Sequence, residues 1–245
     1  MWRSLVFIFF SGPAMAAGPV CHNASPAAVL LELYTSEGCS SCPPADRWLA
    51  AVPELFDRER VIGMAWHVDY WDYLGWKDAL ASPQYSARQR ERVRASGSDN
   101  MYTPQLMVNG HTHFWSNRPE ALIRKQLALH PTASLQLSAQ AKNKGEWLLT
   151  VKPTALPANT AVRAVLLGAT ISNKIGGGEN AGRTLSHLSP VLAYANQVHG
   201  SVALSAPGHK AVRAVVWLER EDQGEVLAVS SLDLGACLAA KNINF

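Results

Sequence analysis

The chain is short of charge, short of cysteine and, beyond its first residues, free of long apolar runs. Charged side chains make up 17% of the 245 residues and the formal net charge is only +3. No cluster of five or more lysines and arginines occurs, so the electrostatic footprint of a nucleic-acid binder is missing. After residue 10 no segment approaches the roughly 18 apolar residues that a membrane-spanning helix needs. Wholesale disorder and a polytopic membrane protein are equally excluded, because 48% of the residues are apolar and mean hydropathy is close to zero. The length allows one large domain or two small ones, each able to bury a core.

What is present begins with an address. Arg3 precedes the apolar run Leu5–Phe10, and Ala14 and Ala16 supply the small residues of a cleavage site. This reads as a secretory signal over 1–16, placing the mature chain in the periplasm or outside the cell; an uncleaved anchor is the other reading. In such an oxidising compartment four cysteines carry meaning. Cys39 and Cys42 form a tight C-x-x-C, while Cys21 and Cys237 stand near the two ends. If the close pair bonds to itself, Cys21 is left for Cys237 as a structural disulfide; two free thiols, or a second redox pair, are the alternatives.

Along the chain, Ala27–Tyr34 is almost continuously apolar, as in a strand buried on both faces. The C-x-x-C follows, and Pro43, Pro44 and the spacing of Trp48, Leu49, Val52 and Phe56 open a helix there, with Pro53 expected to kink it. A second buried strand covers Val61–Val68, an aromatic-rich segment follows, and Ser82-Pro83 starts a helix to about Ala95. Thr103-Pro104 precedes a short strand, an Asn109-Gly110 turn and a return strand over His111–Trp115. Asn117 is expected to cap a last helix ending near His130. From Pro131 onward alternating segments between Gly, Pro and Asn turns predict a β-sandwich-like domain, with Trp147 and Trp217 in its core. The run Gly176-Gly177-Gly178 with Arg183 lacks the ending of a phosphate loop and reads as a flexible loop.

A dithiol at a helix N-terminus has a chemical use, because unsatisfied N–H groups and the helix dipole favour thiolate at the first sulfur. Cys39 is then the attacking sulfur and Cys42 the resolving one. Zinc would want a second ligand pair, and haem attachment would want His where Pro43 stands. The redox reading needs a sharp turn that shows backbone to a substrate, and Thr103-Pro104, with a cis bond, fits that need.

These residues resemble the thioredoxin superfamily. More narrowly, Glu32–Asp46, Trp66–Lys77 and Tyr102–Gln105 are similar to an uncharacterised bacterial secreted family, domain of unknown function 1223. The resemblance covers nearly all of the mature chain and implies an α/β, thioredoxin-like N-terminal domain over 17–130 with an insertion around 69–100, before the β-rich domain over 131–245. Two departures from thioredoxin itself are Ser40-Ser41 in place of Gly-Pro, and the 62-residue gap from Cys42 to Pro104.

The expected function is therefore a thiol–disulfide oxidoreductase acting on a protein or small-thiol substrate with an unidentified redox partner, without cofactor, nucleic acid or membrane. Its catalytic residues would be Cys39, Cys42, Pro104 and Glu32, the last as a buried acid in the first strand. Thr103 and Trp71 would meet substrate. Two other readings stay open: a copper or zinc module using the same cysteines with His67, Asp69, Asp72 or the methionines 64, 101 and 107, and a binding protein whose Cys39–Cys42 bond is permanent. His111 and His113 are read as flanking a turn rather than holding a metal.

Overall fold

The computed structural model describes residues 20–22, 24–129, 133–142, 145–206 and 208–239; the expected signal over 1–16 and the domain junction at 130–132 lie outside them. In chain order the elements are β1 (Val20–Cys21), β2 (Ser25–Ala27), β3 (Val29–Thr35), α1 (Pro43–Leu55), β4 (Val61–His67), α2 (Pro83–Ala95), β5 (Gln105–Val108), β6 (His111–His113) and α3 (Pro119–Leu127). They continue with β7 (Leu135–Ala141), β8 (Glu146–Pro153), β9 (Thr160–Gly168), β10 (Ile171–Lys174), β11 (Thr184–His187), β12 (Val191–Ala195), β13 (Ser201–Ser205), β14 (Ala211–Arg220), β15 (Val226–Asp233) and α4 (Leu234–Ala239).

Three stacked sheets build the molecule. The first has the order β4-β3-β5-β6, with β3 and β4 parallel and the other pairs antiparallel. One of its faces, Val29, Leu31 and Leu33, packs on α1 and α3 through Ala45, Leu49, Val52 and Ile123. The other face, Leu30, Tyr34, Met64 and Trp66, packs with α2 against Val165, Val215 and Trp217 of a five-stranded sheet, β12-β9-β14-β15-β2. The far face of that sheet, with Ala164, Leu166, Ala214 and Val216, closes on β1-β7-β8-β13 to make a β-sandwich. A two-stranded hairpin, β10 and β11, projects from the sandwich.

The expectation of an α/β chain with a thioredoxin-like N-terminal domain is corrected by this arrangement. Among the described residues fifteen strands in four sheets stand against four short α-helices, so the chain is mainly β and its architecture resembles a β-sandwich. The misreading has a physical source. β3 is buried at every position, as expected, but helices alone do not supply that burial; a second β-sheet covers one face. β1 and β2, assigned from sequence to the N-terminal unit, pair instead with β7 and β15 in the sandwich.

Side-chain chemistry sets several of the element ends. Ser82 caps α2, its hydroxyl accepting from the Gln84 N–H. α1 carries Pro53 in its last turn and ends at Leu55. The expected cap at Asn117 is not made: α3 starts one residue later, after Arg118, which takes a left-handed conformation and gives no side-chain cap. Cys21 is bonded to Cys237 with 5.7 Å between Cα atoms, tying β1 to α4. Among the described residues no helix is long and apolar enough to cross a membrane.

Candidate functional site

β3 delivers the chain into a tight turn. Cys39 N–H donates to the Ser36 carbonyl and Cys42 N–H to the Cys39 carbonyl; Cys42 is then the cap residue of α1, its carbonyl receiving the N–H groups of Ala45 and Asp46. Pro43 and Pro44 follow at the first helical positions, where a missing N–H costs nothing. Cys39 and Cys42 are joined by a disulfide with Cα atoms 5.4 Å apart.

The Thr103–Pro104 bond is cis, as expected, and Pro104 immediately precedes β5. Because Tyr34 pairs with Gln105, this turn lies beside the end of β3 from which the cysteines depart. Trp71 bridges the two: its indole N–H donates to the Thr103 hydroxyl at 2.7 Å, and a Cβ at Gly38 would meet its Cβ and carbonyl at 3.1 Å. Cys39, Cys42, Pro104, Thr103 and Trp71 therefore share one corner of the molecule.

Glu32 does not join them. Alternation along β3 sends it to the face opposite α1, where it is fully buried and Arg88 grips it through two hydrogen bonds of 2.8 and 3.0 Å. The buried carboxylate on the cysteines' own helix is Asp46, four residues beyond Cys42, to which the sequence motifs gave no role. Burial raises its pKa above the usual carboxylate range, against the pull of His187 and His67. The Thr35 hydroxyl is its hydrogen-bonding neighbour, while His67 Nε2 and His187 Nδ1 are buried without a hydrogen-bond partner. His187 Nδ1 lies 3.9 Å from Asp46 Oδ2, and the two imidazoles meet edge to face at 4.4 Å.

Each imidazole is held from its other side by an acid. His67 Nδ1 is 2.6 Å from Asp78, and His187 Nε2 is 3.2 Å from Glu37. Burial works against a charged His67, but Asp78 outweighs it and lifts the pKa. Asp78 and Glu37 are both lowered: burial opposes this, His67 overcomes it for Asp78, and hydrogen bonds from His187, Asn173 and Trp76 overcome it for Glu37. The expected metal set disperses into these roles. Asp69 accepts from Ser86 at 2.5 Å, Asp72 accepts from the Asp78 N–H, and among the described residues no group of three or more His, Cys, Asp or Glu is placed to hold a metal ion. His111 is exposed, and His113 contacts the Asn117 carbonyl.

The glycine run expected to be a flexible loop is a cover. Residues 175–183, carried by β10 and β11, lie over the cysteine turn: the Asn180 amide donates to the carbonyls of Glu37 and Cys39, both at 2.9 Å, and Glu179 accepts from the Ser40 N–H at 3.0 Å. Arg183 steadies Asn180 at 2.7 Å. Gly177 permits the approach, since a Cβ there would run into the Gly75 carbonyl. Cys39 is 1% and Cys42 0% exposed.

Residues 30–229 match the family described as protein of unknown function (DUF1223), and the chain belongs to that family. The structure is similar to that of protein AGR_C_4864 from Agrobacterium tumefaciens, 25% identical, with a TM-score of 0.60 over 85% of this chain and 95% of that one. It is similar in fold to HBP35 of Porphyromonas gingivalis, 16% identical, with a TM-score of 0.61 over 86% of this chain and 76% of that one. Among curated proteins none matches the chain significantly.

Proposed function

We propose that this DUF1223 chain is a thiol–disulfide oxidoreductase of the periplasm or the secreted fraction, acting on a protein or small-thiol substrate together with a separate redox partner. The observation that carries the reading is the Cys39–Cys42 disulfide across the N-terminus of α1, with Trp71 and the Thr103–Pro104 turn at its side. In the reduced protein Cys39, facing the unsatisfied N–H groups of the helix start, attacks a substrate disulfide. Cys42 then displaces the substrate sulfur and restores the internal bond. Pro104 shapes the face against which substrate backbone would lie, and the dithiol itself carries the electrons. For Cys39 to meet a substrate, Asn180 must release the two carbonyls that it holds.

A specific observation favours a second reading. Both cysteines are buried and residues 175–183 bond to their turn, which also suits a permanent structural bond. A redox titration of the mature protein in glutathione buffers, with mass-tagged alkylation of the thiols located by peptide mass spectrometry, separates the two. A reversible couple between roughly −120 and −270 mV is expected for an oxidoreductase. A pair still oxidised below about −300 mV overturns the catalytic reading and leaves a structural bond.

A further inference from the structure

We infer that Gln89 is a positioning residue of the dithiol site: its buried amide holds the Thr103–Pro104 turn in the pose against which an extended polypeptide substrate lies. This rests on the oxidoreductase reading of the same site and narrows its substrate to a molecule with a backbone to dock, since a small thiol has no use for the turn.

Gln89 belongs to α2, a helix rich in arginine, and a glutamine in such a helix is ordinarily solvated. Here it is fully buried, and so is Gln105 at the start of β5. A buried carboxamide is costly unless its donors and its acceptor are engaged, and this one engages them all. Its Nε2 donates to the Tyr102 carbonyl at 2.8 Å and to Gln105 Oε1 at 2.7 Å, while its Oε1 accepts from the Tyr70 hydroxyl at 3.0 Å. Tyr102 stands immediately before the Thr103–Pro104 pair and Gln105 immediately after it, so a single amide brackets the turn. The same contacts fix which way the amide faces, because the Tyr102 carbonyl can only accept.

The turn has need of a brace. Residues 96–104, between α2 and β5, form neither helix nor strand, and the backbone ladder to β3 begins only at Gln105, opposite Tyr34. On its other side the turn is met by Trp71, whose indole donates to the Thr103 hydroxyl. α2 governs that side too. Ser86, three residues before Gln89 and on the same helical face, donates to the Asp69 carboxylate and accepts from the Asp69 N–H, two residues before Trp71. Both walls beside the cysteines, Trp71 and the Thr103–Pro104 turn, are therefore tied to one helix. That helix is itself anchored: Arg88 is bound to Glu32 of β3 and Glu219 of β14, and Arg92 donates to the carbonyls of Gly110 and Gly224. Gln89 lies between the two anchors, so its amide is a fixed post rather than a mobile surface group.

The consequence is selectivity. Exchange needs the attacking, central and leaving sulfurs in line. A polypeptide gains that alignment by laying its main chain on the turn, whereas a small aromatic disulfide aligns without it. A turn that drifts by an ångström slows the first and spares the second.

The test uses the reduced full-length protein with two probes: an unstructured peptide closed by one internal disulfide, whose opening is read by a fluorophore pair at its ends, and an aromatic disulfide that releases a coloured thiolate. In Gln89→Met, which keeps side-chain length and loses both donors, the second-order rate constant for the peptide falls about tenfold or more, while that for the aromatic disulfide stays within about twofold of the unaltered protein. The redox equilibrium of Cys39–Cys42 with glutathione does not move. A general loosening of the fold would slow both probes together. Equal losses on the two probes, or an unchanged peptide rate, overturn the inference, as does an unaltered protein that reacts with the aromatic disulfide and not with the peptide. If Gln89→Met does not fold, Tyr70→Phe decides, because it keeps Gln89 and frees its amide to swing. The peptide then slows about threefold with the aromatic probe unaffected. Equal peptide-to-aromatic ratios in Tyr70→Phe and the unaltered protein overturn the inference. An unaltered protein inert toward both probes is a different result, which sinks the oxidoreductase reading and the inference with it.

Discussion

Arg88 is a fully buried cation in the layer between two sheets, and its surroundings explain how it is tolerated. It donates to both oxygens of Glu32, to Glu219 at 3.0 Å and to Tyr194 at 3.1 Å, and its guanidinium lies 4.9 to 5.5 Å from the rings of Trp66, Tyr194 and Trp217. Arg163 and Arg92 approach Glu219 as well. Burial alone would push the Glu219 pKa up, but Arg88, then Arg92 and Arg163, bring it from 4.5 down to about 2. A depressed folded pKa adds stability that is complete above the unfolded value and disappears as pH falls through the folded one. Between pH 4.5 and 2 the protein should therefore lose on the order of 3 kcal/mol through this group. Urea titrations at several pH values should show that loss in the wild type and a flatter acid limb in Glu219→Gln. The variant should also be about 3–5 kcal/mol less stable at pH 7, since it leaves three buried arginines short of an anion. The two acid limbs coinciding would remove Glu219 from the account.

At the scale of elements, the β10–β11 hairpin and its 175–183 tip decide whether the dithiol is reachable. Asn180 is fully buried and makes two hydrogen bonds across to the cysteine turn, so its loss should favour the open state by about 1–3 kcal/mol. Alkylation of reduced Cys39 should accelerate roughly tenfold or more in Asn180→Ala, read by mass spectrometry of the Cys39 peptide. An unchanged rate would mean that the cover does not control access. Gly177→Ala should act in the same direction by forcing the tip off the Gly75 carbonyl. Legibility differed by element for a related reason. β3, α1, β4, α2 and β5 were readable because each carries a local signature, such as the Ser82-Pro83 start or the Asn109-Gly110 turn. The hairpin carried none: Gly176–Gly178 has its meaning only through Trp76 and the cysteine turn, a hundred residues away in sequence. The same holds within the site. Cys39, Cys42, Thr103 and Pro104 announce themselves as motifs, whereas Asp46, His67 and His187 come together only through tertiary packing. A long apolar strand says that it is buried, but it cannot say whether helices or a second sheet do the burying, and that is where the fold class was missed.

The whole molecule sets its two disulfides to different work. Cys39–Cys42 spans three positions beyond the C-terminal end of β3 in the first sheet, while Cys21–Cys237 spans 216 and lies in the outer sandwich layer, packed with Leu135, Leu137 and Leu234. Closing a loop of that length stabilises by roughly 5 kcal/mol in the chain-entropy model. The closure holds the ends of the described chain, β1 and α4, against β7 and β14, two layers away from the helices that cover the first sheet. Replacing both cysteines by serine should therefore loosen one side of the molecule before the other. Amide hydrogen exchange in Cys21→Ser/Cys237→Ser should speed up in β1, β7 and α4, while β3, β4 and β5 keep their protection under native conditions. Denaturant midpoints should fall by an amount corresponding to about 2–5 kcal/mol. Exchange that rises equally in β3 and β7 would show that the sandwich and the first sheet open as one cooperative body, as the shared core of Trp66, Tyr194 and Trp217 permits. In that case the distant closure stabilises the dithiol site directly, and reduction of Cys21–Cys237 should also shift the redox equilibrium of Cys39–Cys42.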